Sequence, residues 1–410
     1  MRTNWILSAG VFVRQVYCSG SSLSYKSFSK QDVYNPPLVN DSTGICFPHD
    51  TSGYSLYTLQ YNTSASQKNC ILPENHEEPY CAFTDSKFDH GKGIAVVTTP
   101  ERARLIFKSI TSASRQTTFR ESLFKTEASG SKGRGIFAKR FIPTGTLITS
   151  EHPVIFLDQN WKTDIPSEQD RETLQAIAIS KLPRATRQTI EELYNGPSSN
   201  SDLRKLMINA YGVVDQPTQD WPVQQKVNHG CRPNAAAQWD WNMFAHKLYA
   251  VRNIAAGEEI TISYFNTVMT LQKRQQHTKE NLGFVCACSH CKASGEFANL
   301  SDDRINEILL LEKHLESKQI APSEPTAMAE LLVGLYEQEG LDAYISKAYG
   351  IAAREWNGVG SEYQARLWAY KSVQAGLIAG LGSGVKDYAE DSETLLDGSR
   401  LHWSWKYRVH

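Results

Sequence analysis

Apolar positions change their period several times along this chain, and each change predicts a different kind of element. Up to about residue 120 the sequence is rich in Ser, Thr, Tyr, Asn and Pro. Short strand-like pieces at 54–61 and 93–97 then predict an irregular, loop-rich module. Residues 135–139, 147–150 and 154–157 are short strand candidates, with a Pro143-Thr144-Gly145 turn among them. The period then lengthens. Leu174, Ile177, Ala178 and Leu182 share one helical face, as do Leu203, Leu206, Met207 and Ala210 behind a helix-starting Asp202, so a helical insert at 168–212 separates two β-rich parts. Strand signals return at 246–252. After the Ala256-Gly257 turn, Ile260, Ile262 and Tyr264 alternate, which puts the Tyr264 side chain on the face of two core isoleucines near a strand end. From Ser301 to about residue 382 the pattern is helical. One stripe is Ile305, Ile308, Leu309 and Leu315; another is Leu331, Leu332, Leu335 and Tyr336. Gly340 and the glycines at 358 and 360 punctuate them as antiparallel helical hairpins. The fold class is α+β.

Composition narrows this only a little. The 410 residues suit two or three domains, and 40% hydrophobic with 21% charged residues is the balance of a water-soluble globular chain. A net charge of -1 gives no global reason to expect nucleic acid as a direct partner, and no apolar run is long enough to span a bilayer. Between Arg102 and Arg140, ten Lys or Arg face only Glu121 and Glu127. That stretch either receives an anionic ligand or, as is commoner, forms a solvated face with partner acids elsewhere. Arg2 followed by the apolar residues 5–13 resembles a short secretory leader within about 1–20, but Arg14 interrupts it. Two glycine turns, at 88–95 and 131–138, are alike in kind. They read as kinked entries into strands, with a decayed duplication as the other explanation.

The cysteines fall into two sets. Cys18, Cys46, Cys70 and Cys81 precede residue 90 at wide spacing, as for two disulfides in an oxidising compartment or for simple buried thiols. Cys286, Cys288 and Cys291 are closely spaced, and Cys231 is the only other cysteine after Cys81. Three thiols plus one make a tetrahedral zinc set with no position left for a reactive water, so the metal is structural. His290 would be a fifth ligand and is expected outside the set. A cysteine-protease pairing of Cys231 with His229 fails, because both sit on one turn without a separate orienting group.

Four pieces in order resemble the SET-domain methyltransferases. They are Lys132-Gly133-Arg134-Gly135-Ile136-Phe137-Ala138, Asn228-His229-Gly230-Cys231-Arg232-Pro233-Asn234, Gly257-Glu258-Glu259-Ile260-Thr261-Ile262-Ser263-Tyr264, and Cys286-Ala287-Cys288-Ser289-His290-Cys291. The resemblance implies an N-terminal cysteine module over 1–120, a SET domain over 121–285 with its insert at 168–212, and a post-SET zinc segment over 286–300. A helical, TPR-like C-terminal domain over 301–410 completes the chain, similar in kind to the SMYD branch and to related fungal proteins. The MYND finger of that branch is missing, since the insert holds no cysteine. Ser263 stands where many members have Asp, and Gly230 where Ser is common.

The resemblance further implies S-adenosylmethionine and zinc as cofactors. Lys132, Gly133, Arg134, Gly135, Asn228, His229, Tyr264 and Phe284 would bind the methyl donor. Glycines let backbone approach closely, Arg134 meets a carboxylate, Asn228 and His229 offer polar edges, and Phe284 stacks on the adenine. Tyr264 would be catalytic, with Tyr211 as a weaker candidate to line the lysine channel, and Asn209 resembles the Asn of the SMYD-type insert. A protein-lysine N-methyltransferase acting on a protein with an accessible lysine is the expected function. The alternative is a SET-fold protein that no longer methylates protein lysine, as a binding module or in small-molecule metabolism. The cytoplasm or nucleus is favoured, with the secretory pathway as the other possibility.

Overall fold

The computed structural model describes residues 4–8, 11–15, 69–74, 76–113, 122–158, 160–191, 221–223, 227–317, 323–380 and 386–409. The Leu203 to Ala210 stripe, Asn209, Tyr211, Cys18, Cys46 and the 54–61 piece lie outside them. The apolar run near the start falls on two antiparallel strands, β1 (Asn4–Ser8) and β2 (Val11–Gln15).

The loop-rich module contains more regular structure than its composition suggests. β3 (Cys70–Ile71), β4 (Tyr80–Asp85) and β5 (Ile94–Thr98) pair antiparallel, and helix α1 (Pro100–Ala113) follows. Cys70 and Cys81 stand directly opposite in register and form a disulfide. The sheet does not stop at residue 120. β5 runs parallel to β9 (Ile155–Leu157), which pairs with β10 (Trp221–Val223). All five residues of β5 are buried, as expected for an apolar run in a central strand. Tyr80, Ala82, Ala95 and Val97 share one core with Ile155, Leu157, Leu174, Ala178 and Leu182. The last three come from α2 (Glu168–Ser180) and the turn after it. Ser167 caps α2 by accepting from the Asp170 amide at 3.2 Å, and Glu168 and Asp170 complement the helix dipole in its first turn. α3 (Arg184–Glu191) completes the described part of the insert.

Two smaller sheets follow, the first of which carries the glycine turn and the motifs at 228–234 and 257–264. One has the order β11 (Asn228–His229), β14 (Glu259–Ile262), β7 (Arg134–Ala138), β6 (Phe124–Ala128). The other has β12 (Ala235–Asp240), β13 (Ala245–Ala250) and β8 (Leu147–Glu151). Ile136, Ile148, Leu248, Ile260 and Ile262 fill the core between them. The basic stretch finds acids. Arg102 pairs with buried Asp158, Lys125 with Glu127 and Lys132 with Glu259.

Behind Trp239, at 5.1 Å between ring centroids, His246 is buried in an aromatic cluster, and desolvation lowers its pKa to about 3. A histidine kept neutral in the fold but free to protonate when unfolded stabilises above pH 6.5, and that contribution fades as pH falls towards 3. Between pH 7 and pH 5 the loss is about 2 kcal/mol. His246→Gln should therefore flatten the chemical-denaturation stability profile by that amount across this interval. An unchanged slope would remove His246 as its source.

The C-terminal helices are α4 (Leu271–Asn281), α5 (Glu296–Glu316), α6 (Pro325–Gln338), α7 (Ile345–Gly358), α8 (Glu362–Ala379) and α9 (Lys386–Gly398). From α5 onward, successive helices pack on one another. Gly340 and Gly360 follow helix ends at φ of 63° and 83°, the left-handed conformation such ends favour. The expected stripes are displaced in part. Leu309 is 40% exposed while Leu311 is 4% exposed, and Leu331 points outward while Leu332 and Tyr336 are buried. One residue turns about 100° around a helix, so the buried row 305, 308, 311, 315 excludes position 309. The tail docks where Gly358 leaves room for the Tyr407 ring, and Tyr407 donates to Glu355 at 2.5 Å.

Candidate active site

The site forms where the glycine turn, the Asn228–His229 strand and the end of β14 meet. A short turn over Gly130–Lys132 leads into Gly133 at φ 78°, then β7 begins. β11 runs parallel to β14, with Asn228 opposite Thr261 and His229 opposite Ile262.

Glu259 ties these pieces together. Its carboxylate accepts from Ser129 Oγ at 2.6 Å, Lys132 Nζ at 2.7 Å and Asn228 Nδ2 at 2.8 Å. Burial alone would push its carboxyl pKa up, but these bonds outweigh burial and hold it below the usual range. Asn228 also donates to the Arg134 carbonyl at 3.1 Å. The side chains of Lys132 and Asn228 are therefore engaged in building the turn, whereas the Arg134 side chain is exposed. A Cβ on Gly135 would lie 2.5 Å from Glu259 Oε1 and 2.8 Å from Asn228 Nδ2. Gly135→Ala should thus displace a pinned carboxylate and cost about 1–3 kcal/mol in denaturant melts. Wild-type stability in that variant would show that Glu259 yields freely. Asn234 locks the other end of the turn. Its Nδ2 donates to Glu258 Oε1 and the Glu259 carbonyl, both at 2.9 Å, and its Oδ1 accepts from the Thr261 amide at 2.8 Å.

His229 faces inward and is buried. Its Nδ1 accepts from the Tyr264 amide at 3.2 Å, which leaves the proton on Nε2, 3.3 Å from Cys231 Sγ. The ring stacks on Phe265 with centroids 5.0 Å apart, and Phe265 stacks on His277 at 4.3 Å. Desolvation lowers the His229 pKa to about 4, so this imidazole is neutral at ordinary pH.

Tyr264 departs from the expected shared face. The β14 ladder ends at Ile262, alternation ends with it, and the Tyr264 ring leaves the core to stand 41% exposed. Its hydroxyl donates to the Val227 carbonyl at 2.7 Å. Its ring lies 5.3 Å from His229 and edge-on to half-buried Phe284 at 6.5 Å. Desolvation, with a smaller effect from the Glu259 carboxylate, holds the phenol proton above its usual range. Asn228, Tyr264 and Phe284 thus lie along one patch that reaches the Arg134 backbone.

Beside the patch, the sulfurs of Cys231, Cys286, Cys288 and Cys291 all lie within 4.8 Å of one another. Cys231 Sγ is 3.8 Å from Cys286 Sγ and 3.4 Å from Cys291 Sγ. Four sulfurs about 2.3 Å from one zinc would be about 3.8 Å apart, so the donor set fits a tetrahedral metal. His290 is not part of that group.

The SET domain family matches residues 133–265, which include the glycine turn, the Asn228–His229 strand and Tyr264. Residues 133–265 are a SET domain. The chain is similar to "Histone-lysine N-methyltransferase set5" of Schizosaccharomyces pombe. That match is 27% identical over 42% of this chain and 51% of the relative. "Histone-lysine N-methyltransferase SMYD3" of Mus musculus matches at 27% identity over 37% of this chain and 36% of its own. "Protein-lysine N-trimethyltransferase SMYD5" of Gallus gallus matches at 35% over 21% of each. The chain therefore spans about half the length of the fission-yeast relative and less of the other two. No helix among the described residues is long and apolar enough to cross a membrane.

Proposed function

We propose that this protein is an S-adenosylmethionine-dependent protein-lysine N-methyltransferase with a structural zinc site. A histone tail or another lysine-bearing protein is the proposed substrate class, and the cytoplasm or nucleus the proposed place of action. The observation that carries this reading is Tyr264. It is an exposed ring beside Phe284, its hydroxyl fixed on the Val227 carbonyl and its amide fixed on His229, at the end of the SET-domain strand.

Bound S-adenosylmethionine would supply an electrophilic methyl group. Arg134 and the Gly133 turn would receive its amino acid end, and Phe284 its adenine. The Tyr264 hydroxyl stays protonated at neutral pH, since its proton is held above the usual range. It therefore contributes an oriented dipole and no base, and the substrate amine must arrive neutral. Positioning of that amine carries the rate. Cys231, Cys286, Cys288 and Cys291 would hold zinc with no open position, leaving the metal outside the chemistry.

Methyl-labelled cofactor incubated with the zinc-loaded chain and a native lysate tests the proposal. Label transferred to lysine in a protein band, then mapped, is the expected result. Cofactor binding by calorimetry without label in any protein would instead point to a small-molecule acceptor, and absence of binding would overturn the enzyme reading.

A further inference from the structure

We propose that the connection between α6 and α7 clamps the catalytic turn, with Glu339 and Tyr344 as positioning residues for Tyr264. This rests on the methyltransferase reading for its consequence in turnover, though not for its geometry.

Glu339 lies just past the end of α6 and is almost wholly buried. Its carboxylate accepts from Arg232 Nη2 at 2.7 Å, Ser301 Oγ at 2.8 Å and Arg304 Nε at 2.7 Å, while its carbonyl accepts from Arg232 Nε at 2.6 Å. Arg232 belongs to the cysteine turn. Its Nη1 donates to the Cys231 carbonyl at 2.9 Å and the Thr267 carbonyl at 3.4 Å. One guanidinium thus joins three segments: the cysteine turn, the stretch just after Tyr264 and the helical region. A planar five-donor group suits that geometry, which a lysine could not reproduce.

Five residues on, Tyr344 makes a second and independent contact. Its hydroxyl donates to the Phe265 carbonyl at 3.0 Å and accepts from the Thr267 amide and Oγ1, both at 3.3 Å. Between the two contacts, fully buried Leu341 anchors the connection in the helical core. The segment that leaves Tyr264 is therefore held by Tyr344 and Arg232 as well as by His229. The Arg232–Glu339 pair is buried on both sides, and such a pair is a weak source of net stability but can fix one arrangement among several. Here the arrangement fixed is the position of Tyr264 relative to the cysteine turn.

Hydrogen–deuterium exchange of the full zinc-loaded chain tests the clamp without reference to turnover. In Glu339→Gln, amides in 264–267 should exchange about tenfold faster or more, while 305–315 in α5 stays within about twofold of wild type. Tyr344→Phe, which deletes one oxygen and is the milder change, should show the same selective rise and decides the matter if Glu339→Gln fails to fold. Zinc content and methyl-donor affinity should hold while kcat falls with KM for the donor unchanged. Unchanged exchange at 264–267, or a rise shared equally with 305–315, would overturn the clamp. A wild-type chain without methyl transfer would overturn the functional reading alone, because the exchange result stands by itself.

Discussion

Tyr264→Phe should bind S-adenosylmethionine as wild type does and lose about a hundredfold or more in turnover, the usual scale for removing one oriented polar group from a transition-state site. The ring is the part that packs near His229 and Phe284, and phenylalanine keeps it. Only the hydroxyl is lost, and with it the bond to the Val227 carbonyl. Single-turnover methyl transfer alongside calorimetry separates the two quantities. Full turnover with intact binding would take Tyr264 out of the mechanism, whereas loss of binding would make its role one of building the pocket.

Removal of zinc should have a wider effect. Elemental analysis is expected to find close to one zinc per chain, and Cys288→Ser to abolish it. Cys288 is the informative position because it is half-buried while its three partners are buried, so the substitution disturbs ligation more than packing. A closed thiolate site contributes on the order of 10 kcal/mol to the segment it ties. Its loss should release both the 227–234 turn and the 284–291 segment. His229 then loses Cys231 as a neighbour and Phe284 its anchor, so cofactor binding and turnover should fail together. A folded, zinc-free protein that binds cofactor normally would rule out the metal.

The chemistry-bearing residues were legible in the sequence to very different degrees. Cys231, Cys286, Cys288 and Cys291 could be read because thiol identity and spacing carry their meaning without the fold, and the sulfurs do converge. The alternation of Ile260 and Ile262 was equally readable, but where the ladder stops was not, and Tyr264 lies beyond that stop. Helix α1 was hidden by its basic residues, although Ala103, Ile106 and Ile110 at helical spacing are its buried face and could have revealed it. Glu259 looked like one more acid in a strand motif. Its role depends on Ser129 and Lys132, more than a hundred residues away in sequence, and no local pattern encodes such a meeting. The same holds for Arg232 with Glu339, whose partnership exists only once the helices have docked.

The sheet that crosses residue 120 bears on how this chain could be cut. A fragment beginning at β6 would keep every quoted motif yet strip β9 of its β5 neighbour, leaving an apolar edge of Ile155, Phe156 and Leu157 open to pairing with other copies. The third of the buried core supplied by Tyr80, Ala82, Ala95 and Val97 would go with it. Such a fragment should precipitate, and its failure would say nothing about catalysis. A fragment meant to keep this sheet whole should therefore start no later than Cys70, upstream of the first recognisable motif by some sixty residues.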